Sequence, residues 1–157
     1  MANVDFTVDS DLPAPAILAA AVDFSARRPD LWPTIARTVY AVHASGPDWA
    51  EVTEGSRFLG TIWARERYDW SVPGVVQATV VASNVFRPGG TWRLEVRATG
   101  GRTTATVSSR RRATGLRGRI LGALLALAGR TILAGNLRRT LDVLAAGSVV
   151  RAGEPVR

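Results

Sequence analysis

The sequence predicts an α+β fold: a curved antiparallel sheet wrapped around one long C-terminal helix, with two short helices after the first strand. Three observations carry this. Apolar and polar residues alternate in short segments between Val4 and Arg111, which is the period of half-buried strands. The segments are joined by short Gly- and Pro-rich turns, so consecutive strands pair antiparallel. After Arg110-Arg111-Arg112 the apolar spacing changes to three and four, and a helix of roughly 30 residues, about 45 Å long, follows over residues 115–146. So long a helix needs a broad apolar surface to lie on. The strands supply it, and a sheet closed over one helix leaves a hollow between them.

Each element has a local reason. Val4, Phe6 and Val8 alternate with Asp5, Thr7 and Asp9, giving the first strand. Asp11 or Pro13 opens a helix that continues through Ala16 to Phe24, since Pro is tolerated in a first turn. A second helical turn is expected over residues 28–35, interrupted by Pro29 and Pro33. Strands follow at residues 37–44, 49–53, 57–70, 75–83, 91–99 and 102–111. Gly46-Pro47-Asp48, Glu54-Gly55, Val72-Pro73-Gly74, Arg87-Pro88-Gly89-Gly90 and Gly100-Gly101 divide them. The last pair suits a tight hairpin, because both glycines tolerate positive φ. The long helix presents Ile120, Leu121, Leu124, Leu125, Leu127, Ile132, Leu133, Leu137, Leu141 and Leu144 as a wide stripe. Gly122, Gly129 and Gly135 inside it permit close approach to the sheet, or a bend.

One domain over residues 1–157 is expected, with an ordered core at about 3–146 and a tail at 147–157. The chain is long enough to bury a real core. Cysteine is absent, which excludes disulfides and thiol chemistry. A single histidine, His43, excludes a multi-histidine metal site within one chain. Residues 1–11 carry three Asp and no basic residue, unlike a secretory leader. The longest apolar run, residues 120–129, is half the length of about 20 that a membrane span needs. A cytoplasmic protein without stable membrane insertion is the expectation. All 20 basic residues are Arg, and the charge is uneven: −5 over residues 1–54 and +12 over residues 55–157. A basic half is either a solvated face or a surface for anionic membrane or nucleic acid. Nucleic acid is not expected as a partner, because the aromatic-interleaved basic groove of single-strand binders is missing.

The order of strand, two short helices, six antiparallel strands and a long helix resembles the helix-grip fold of the START/polyketide-cyclase superfamily, also called SRPBCC proteins. Local stretches carry the resemblance: Leu12-Pro-Ala-Pro-Ala, Trp49-Ala-Glu-Val-Thr-Glu-Gly-Ser, Arg65-Glu-Arg-Tyr-Asp-Trp, Gly89-Gly-Thr and Leu137-Arg-Arg-Thr-Leu-Asp. Together they span nearly the whole chain. The resemblance implies a cavity between the sheet and the last helix. It does not imply a particular catalytic residue, since the superfamily includes lipid carriers, hormone receptors and aromatase/cyclases.

Period two assigns the inner face. On the central strand Phe58, Ile62, Ala64, Glu66, Tyr68 and Trp70 point one way, and Arg57, Thr61, Arg65, Arg67 and Asp69 the other. The more apolar set belongs inside, as do Trp92, Leu94, Val96 and Ala98, with Tyr40 and Val42 beside them. The candidate ligand-binding set is therefore Tyr40, Phe58, Ile62, Glu66, Tyr68, Trp70, Trp92 and Leu94, completed by Leu124 from the long helix. Aromatic walls with few polar groups suit a small-molecule pocket; the same residues would also fill a dry core. Glu66 is the one catalytic candidate. A carboxylate on an apolar face either has a raised pKa, fit for proton transfer, or is paired with an arginine. Arg111 is the arginine of its triplet that shares the inner face. His43 belongs to the opposite face, and Glu51 and Glu54 have no partner identifiable from sequence. No phosphate loop, nucleophile motif or metal-ligand spacing occurs, so no cofactor is expected. The leading functional expectation is binding of a small hydrophobic, lipid- or polyketide-like molecule. The alternative is a cofactor-independent cyclase/dehydratase of the aromatase kind. A homodimer stays open.

Overall fold

The computed structural model describes residues 2–57 and 60–152. Strand β1 (Ala2–Ser10) leads into helices α1 (Ala14–Ala21) and α2 (Arg28–Leu31). Strands β2 (Ala41–Ser45), β3 (Trp49–Ser56), β4 (Ile62–Asp69), β5 (Val75–Ser83), β6 (Thr91–Thr99) and β7 (Arg102–Arg111) follow, and helix α3 (Gly115–Ala152) closes the chain. The seven strands form one sheet in the order β1-β7-β6-β5-β4-β3-β2, every neighbouring pair antiparallel. This is the helix-grip arrangement. The first and last strands pair with each other, while α1 and α2 carry the chain to the far edge.

The predicted order of elements holds, and the boundaries differ for local reasons. Helix α1 stops at Ala21 and α2 spans only four residues. Trp32 precedes Pro33 and takes an extended ψ of 84°, as the proline ring demands of its predecessor. Residues 37–40 are not strand: the amides of Val39 and Tyr40 both bond to the Ala36 carbonyl, making a turn. The central strand begins at Ile62, two residues after Gly60, whose φ of 88° is incompatible with a strand. Phe58 lies outside the described residues. Gly100 and Gly101 adopt φ of 59° and 81°, the hairpin expected of them. Helix α3 runs on to Ala152, past Ala146, and at about 1.5 Å per residue its 38 residues span roughly 57 Å. Among the described residues no helix is long and apolar enough to cross a membrane.

Two bulges adjust the faces. Opposite Arg65 and Glu66 the pairing on β5 jumps from Ala82 to Val80, leaving Val81 as the extra, exposed residue. On the edge strand β2, the jump from Val42 to Ala44 leaves His43 unpaired in the ladder. Val42 lies opposite the buried Val52, on the inner face, yet it is exposed. The edge strand reaches beyond the cover that the helices provide.

The main core sits under the C-terminal half of α3. Ala134, Leu137 and Leu141, three and four residues apart, pack with Val4, Phe6 and Val8 of β1, and Ile17 and Ala21 of α1 join them. A second cluster of Val80, Val85 and Phe86, with Ile62 and Leu121 against it, lies under the N-terminal half. Gly118 makes that second seating possible. A methyl group there would meet the Val85 carbonyl oxygen at 2.5 Å, well inside van der Waals contact. The two clusters hold α3 at two places, with open volume between helix and sheet.

Candidate functional site

That open volume is a cavity of about 630 Å³, within the roughly 300–1,000 Å³ typical of small-molecule sites. Its floor comes from the inward positions of β4 (Ile62, Ala64, Glu66, Tyr68), with Trp92 of β6 and Val107 and Arg111 of β7. Its roof is α3, through Leu121, Leu124, Ile132, Leu133, Asn136 and Leu137. Phe6, Trp32, Phe86, Arg28 and Glu54 complete the wall.

Five of the nine expected site residues therefore line the cavity: Ile62, Glu66, Tyr68, Trp92 and Leu124. Three do not. Leu94 is fully buried in the main core. Trp70, just past the end of β4, stacks on Phe24 with ring centroids 5.6 Å apart. Tyr40 donates its hydroxyl proton to the Phe24 carbonyl at 2.7 Å, and partial burial pushes its pKa up to about 12. Trp70 and Leu94 keep the inward period and Tyr40 lies in the turn before β2, but α1 and the segment after it cover them, and periodicity does not reveal what lies overhead. Phe58 is outside the described residues. His43 bonds to Thr53 at 2.7 Å on the exposed edge.

A line of charged and polar groups crosses the inner face. Arg111 donates to Glu66 Oε1 at 2.6 Å, with the Glu66 side chain almost wholly buried. Two residues along β4, the Tyr68 hydroxyl lies 3.0 Å from Glu54 Oε2 and 3.5 Å from Glu66 Oε2. A phenol has one proton to give, and the shorter distance assigns it to Glu54. Glu54 is in turn ion-paired with Arg28. The Arg28 guanidinium also donates to the Ala21 and Asp23 carbonyls. It sits over Phe24 at 4.2 Å, with Tyr68 and Trp32 at 5.2 and 5.7 Å. Two arginines and two glutamates thus balance in charge across one tyrosine, which is how ionised groups are tolerated under apolar cover.

The balance is not symmetrical. Burial pushes the Glu66 carboxyl above its ordinary value; the Arg111 guanidinium opposes this and the Glu54 carboxylate adds to it. Burial and the two carboxylates also drive the Tyr68 hydroxyl well up, so it remains a phenol. Arg111 lies against the Phe86 ring at 5.1 Å. Its Nε–H is buried without a hydrogen-bond partner among the described residues. A buried donor left unmade costs about 1–3 kcal/mol, and this one belongs to a cavity-lining side chain. Among the described residues no group of His, Cys, Asp and Glu is placed to hold a metal ion.

Sequence reasoning anticipated Glu66 and the inward position of Arg111, and left Glu54 unpartnered. The signal for Glu54 was present: Ala50, Val52 and Glu54 follow period two along β3, and the first two are fully buried. Arg28, on a four-residue helix, has no periodic signal at all.

The fold is a helix grip that encloses a cavity, and solved structures share that fold. The chain is similar to a protein from Thermus thermophilus (TM-score 0.76, 13% identity, covering 93% of this chain and 99% of that one). It is also similar to a START superfamily protein from Mycobacterium smegmatis (TM-score 0.70, 18% identity, 90% and 98%). The Zhui aromatase/cyclase from a Streptomyces species aligns over 98% of both chains (TM-score 0.62, 17% identity). At these identities the likeness is one of fold. No family model and no curated protein sequence matches the chain.

Proposed function

We propose that the protein binds a small, largely apolar molecule in the cavity beneath α3, with a hydrogen-bond acceptor on the ligand meeting Arg111 beside Glu66. The single observation that carries this reading is the cavity itself. It has about 630 Å³ of space, mostly apolar and aromatic walls, and a charge-balanced polar line along its floor. A neutral carbonyl or hydroxyl suits that line better than a carboxylate, because each arginine already has a carboxylate partner. The fold neighbours, a START superfamily protein and an aromatase/cyclase, support a hydrophobic or polyketide-like ligand class.

A second reading is a cofactor-independent cyclase/dehydratase. One observation favours it: Glu66 holds a proton more firmly than an ordinary carboxyl and faces the cavity beside Tyr68. A carboxyl shifted in that direction is better matched to general acid or base work than an ordinary one.

Native mass spectrometry of the purified protein, followed by denaturing extraction, tests the first reading by naming any co-purified molecule. With that molecule as titrant, Trp92→Ala is expected to weaken binding at least tenfold. Trp70→Ala, off the cavity, is expected to reduce thermal stability and leave affinity within about twofold. Equal affinity for wild type and Trp92→Ala refutes the site. Turnover of a polyketide-like substrate that survives Glu66→Gln unchanged refutes the second reading.

A further inference from the structure

Helix α3 has two apolar faces, and the sheet uses only one. In its N-terminal half Gly118 and Gly129 are buried and Leu121 faces the cavity. Leu116, Ile120, Leu124 and Leu127, spaced four, four and three, fall within about a quarter of the helix circumference. All four are exposed, Leu116 at 76% and Leu127 at 87%. A helix on a protein surface normally turns its polar side outward; this segment turns leucines outward.

Charge marks what such a face fits. Between Val96 and Leu141 the sequence has ten arginines and no acidic residue. Arg119 and Arg130 border the apolar stripe on its own turns, and Arg112 lies three residues before the helix starts. All three are exposed and have no ion-pair partner among the described residues. A second copy of the chain is a poor occupant, since a twofold pairing of this face brings its arginines against their own copies. An apolar stripe edged by arginines matches an anionic lipid surface, where side chains enter the acyl boundary and guanidinium groups meet phosphates.

We propose that the N-terminal half of α3 docks flat on an anionic bilayer surface. Leu124 belongs to both the exposed stripe and the cavity wall, so docking sets one residue of that wall against the lipid. The docking surface stands on the stripe and its arginines alone, and its test needs no ligand, so it fails or survives separately from the cavity reading.

The test is co-sedimentation of the full chain with vesicles of phosphatidylcholine alone and of phosphatidylcholine mixed with phosphatidylglycerol. Binding is expected to the anionic vesicles, at least tenfold weaker to the neutral ones, and largely lost in about 0.5 M salt. Leu116→Gln with Leu127→Gln, and separately Arg119→Gln with Arg130→Gln, are each expected to weaken it tenfold or more. Both pairs are exposed, and unchanged melting curves confirm that the variants fold. Absence of binding to anionic vesicles overturns the proposal. So does binding that ignores the leucine pair, which would be charge adsorption only. So does a dimer, seen by sedimentation without vesicles, that the leucine pair dissolves.

Discussion

Replacing Gly118 with alanine should destabilise the protein, against the ordinary expectation for a helix. In an exposed helix interior Gly→Ala gains up to about 1 kcal/mol. At Gly118 the new methyl would sit 2.5 Å from the Val85 carbonyl oxygen and 3.3 Å from its carbon. The obstruction is backbone, so no side-chain rotation relieves it. The same oxygen accepts a hydrogen bond from the Thr114 amide at 2.8 Å, so moving it away loosens the start of the helix as well. Overpacking of this kind costs about 1–3 kcal/mol, and a weakened hydrogen bond adds about 1 kcal/mol. The net is a loss of about 1–3 kcal/mol, or roughly 2–10 °C in Tm for a chain of this size. Gly135→Ala is the matched control. It lies in the same helix with nothing within 4 Å of the added methyl, and the change in the unfolded chain is the same. Its Tm should rise by about 2–4 °C. Differential scanning calorimetry of both variants decides the matter. If Gly118→Ala is neutral or stabilising, α3 does not seat on the loop after β5, and the roof of the cavity is misplaced.

Other outcomes follow from the polar line. Arg28→Met should cost about 3–5 kcal/mol in urea unfolding, because it strands Glu54 under apolar cover. Arg37→Ala, which removes an ion pair with Asp30 exposed on both sides, should stay within about 1 kcal/mol; comparable losses would contradict the buried network. Glu66→Gln should alter the pH dependence of stability. The native Glu66 carboxyl keeps its proton above the ordinary value of 4.5, while the unfolded chain releases it. Native stability therefore falls as pH rises from 4.5 toward the raised native value. Glutamine cannot ionise, so the variant should gain on wild type across that window and run parallel to it below. Asp5 and Glu95, held low by their bonds to Arg110 and Arg97, act below that window. A constant difference between the two unfolding midpoints from pH 4 to 8 would show that Arg111 fully offsets the burial of Glu66.

Much of the fold was legible because it is local. Alternation in Val4-Phe6-Val8, Ala64-Glu66-Tyr68 and Leu94-Val96 names a strand and its inner face at once, since a β backbone turns each side chain opposite to the last. Gly100-Gly101 names a hairpin because few other residues tolerate positive φ at both positions. Helix α3 is legible from its spacing and length. Of the expected site residues, Glu66, Tyr68, Trp92, Ile62 and Leu124 line the cavity, whereas Trp70 and Leu94 lie under different cover and Tyr40 lies in the turn before β2.

By itself, then, the sequence determined the elements, their order, the antiparallel pairing and which side chains share a face. These follow from backbone geometry and from contacts between neighbours in the chain. Only the tertiary structure decided where the sheet is covered and where it is hollow. It decided that Arg28, 26 residues before Glu54, is that carboxylate's partner, and that Arg111, 45 residues after Glu66, is the other's. It also decided that one side of α3's N-terminal half faces outward uncovered. Such facts depend on how far apart two packed surfaces stand and which distant charges meet between them, and a periodic pattern along one chain has no coordinate for either.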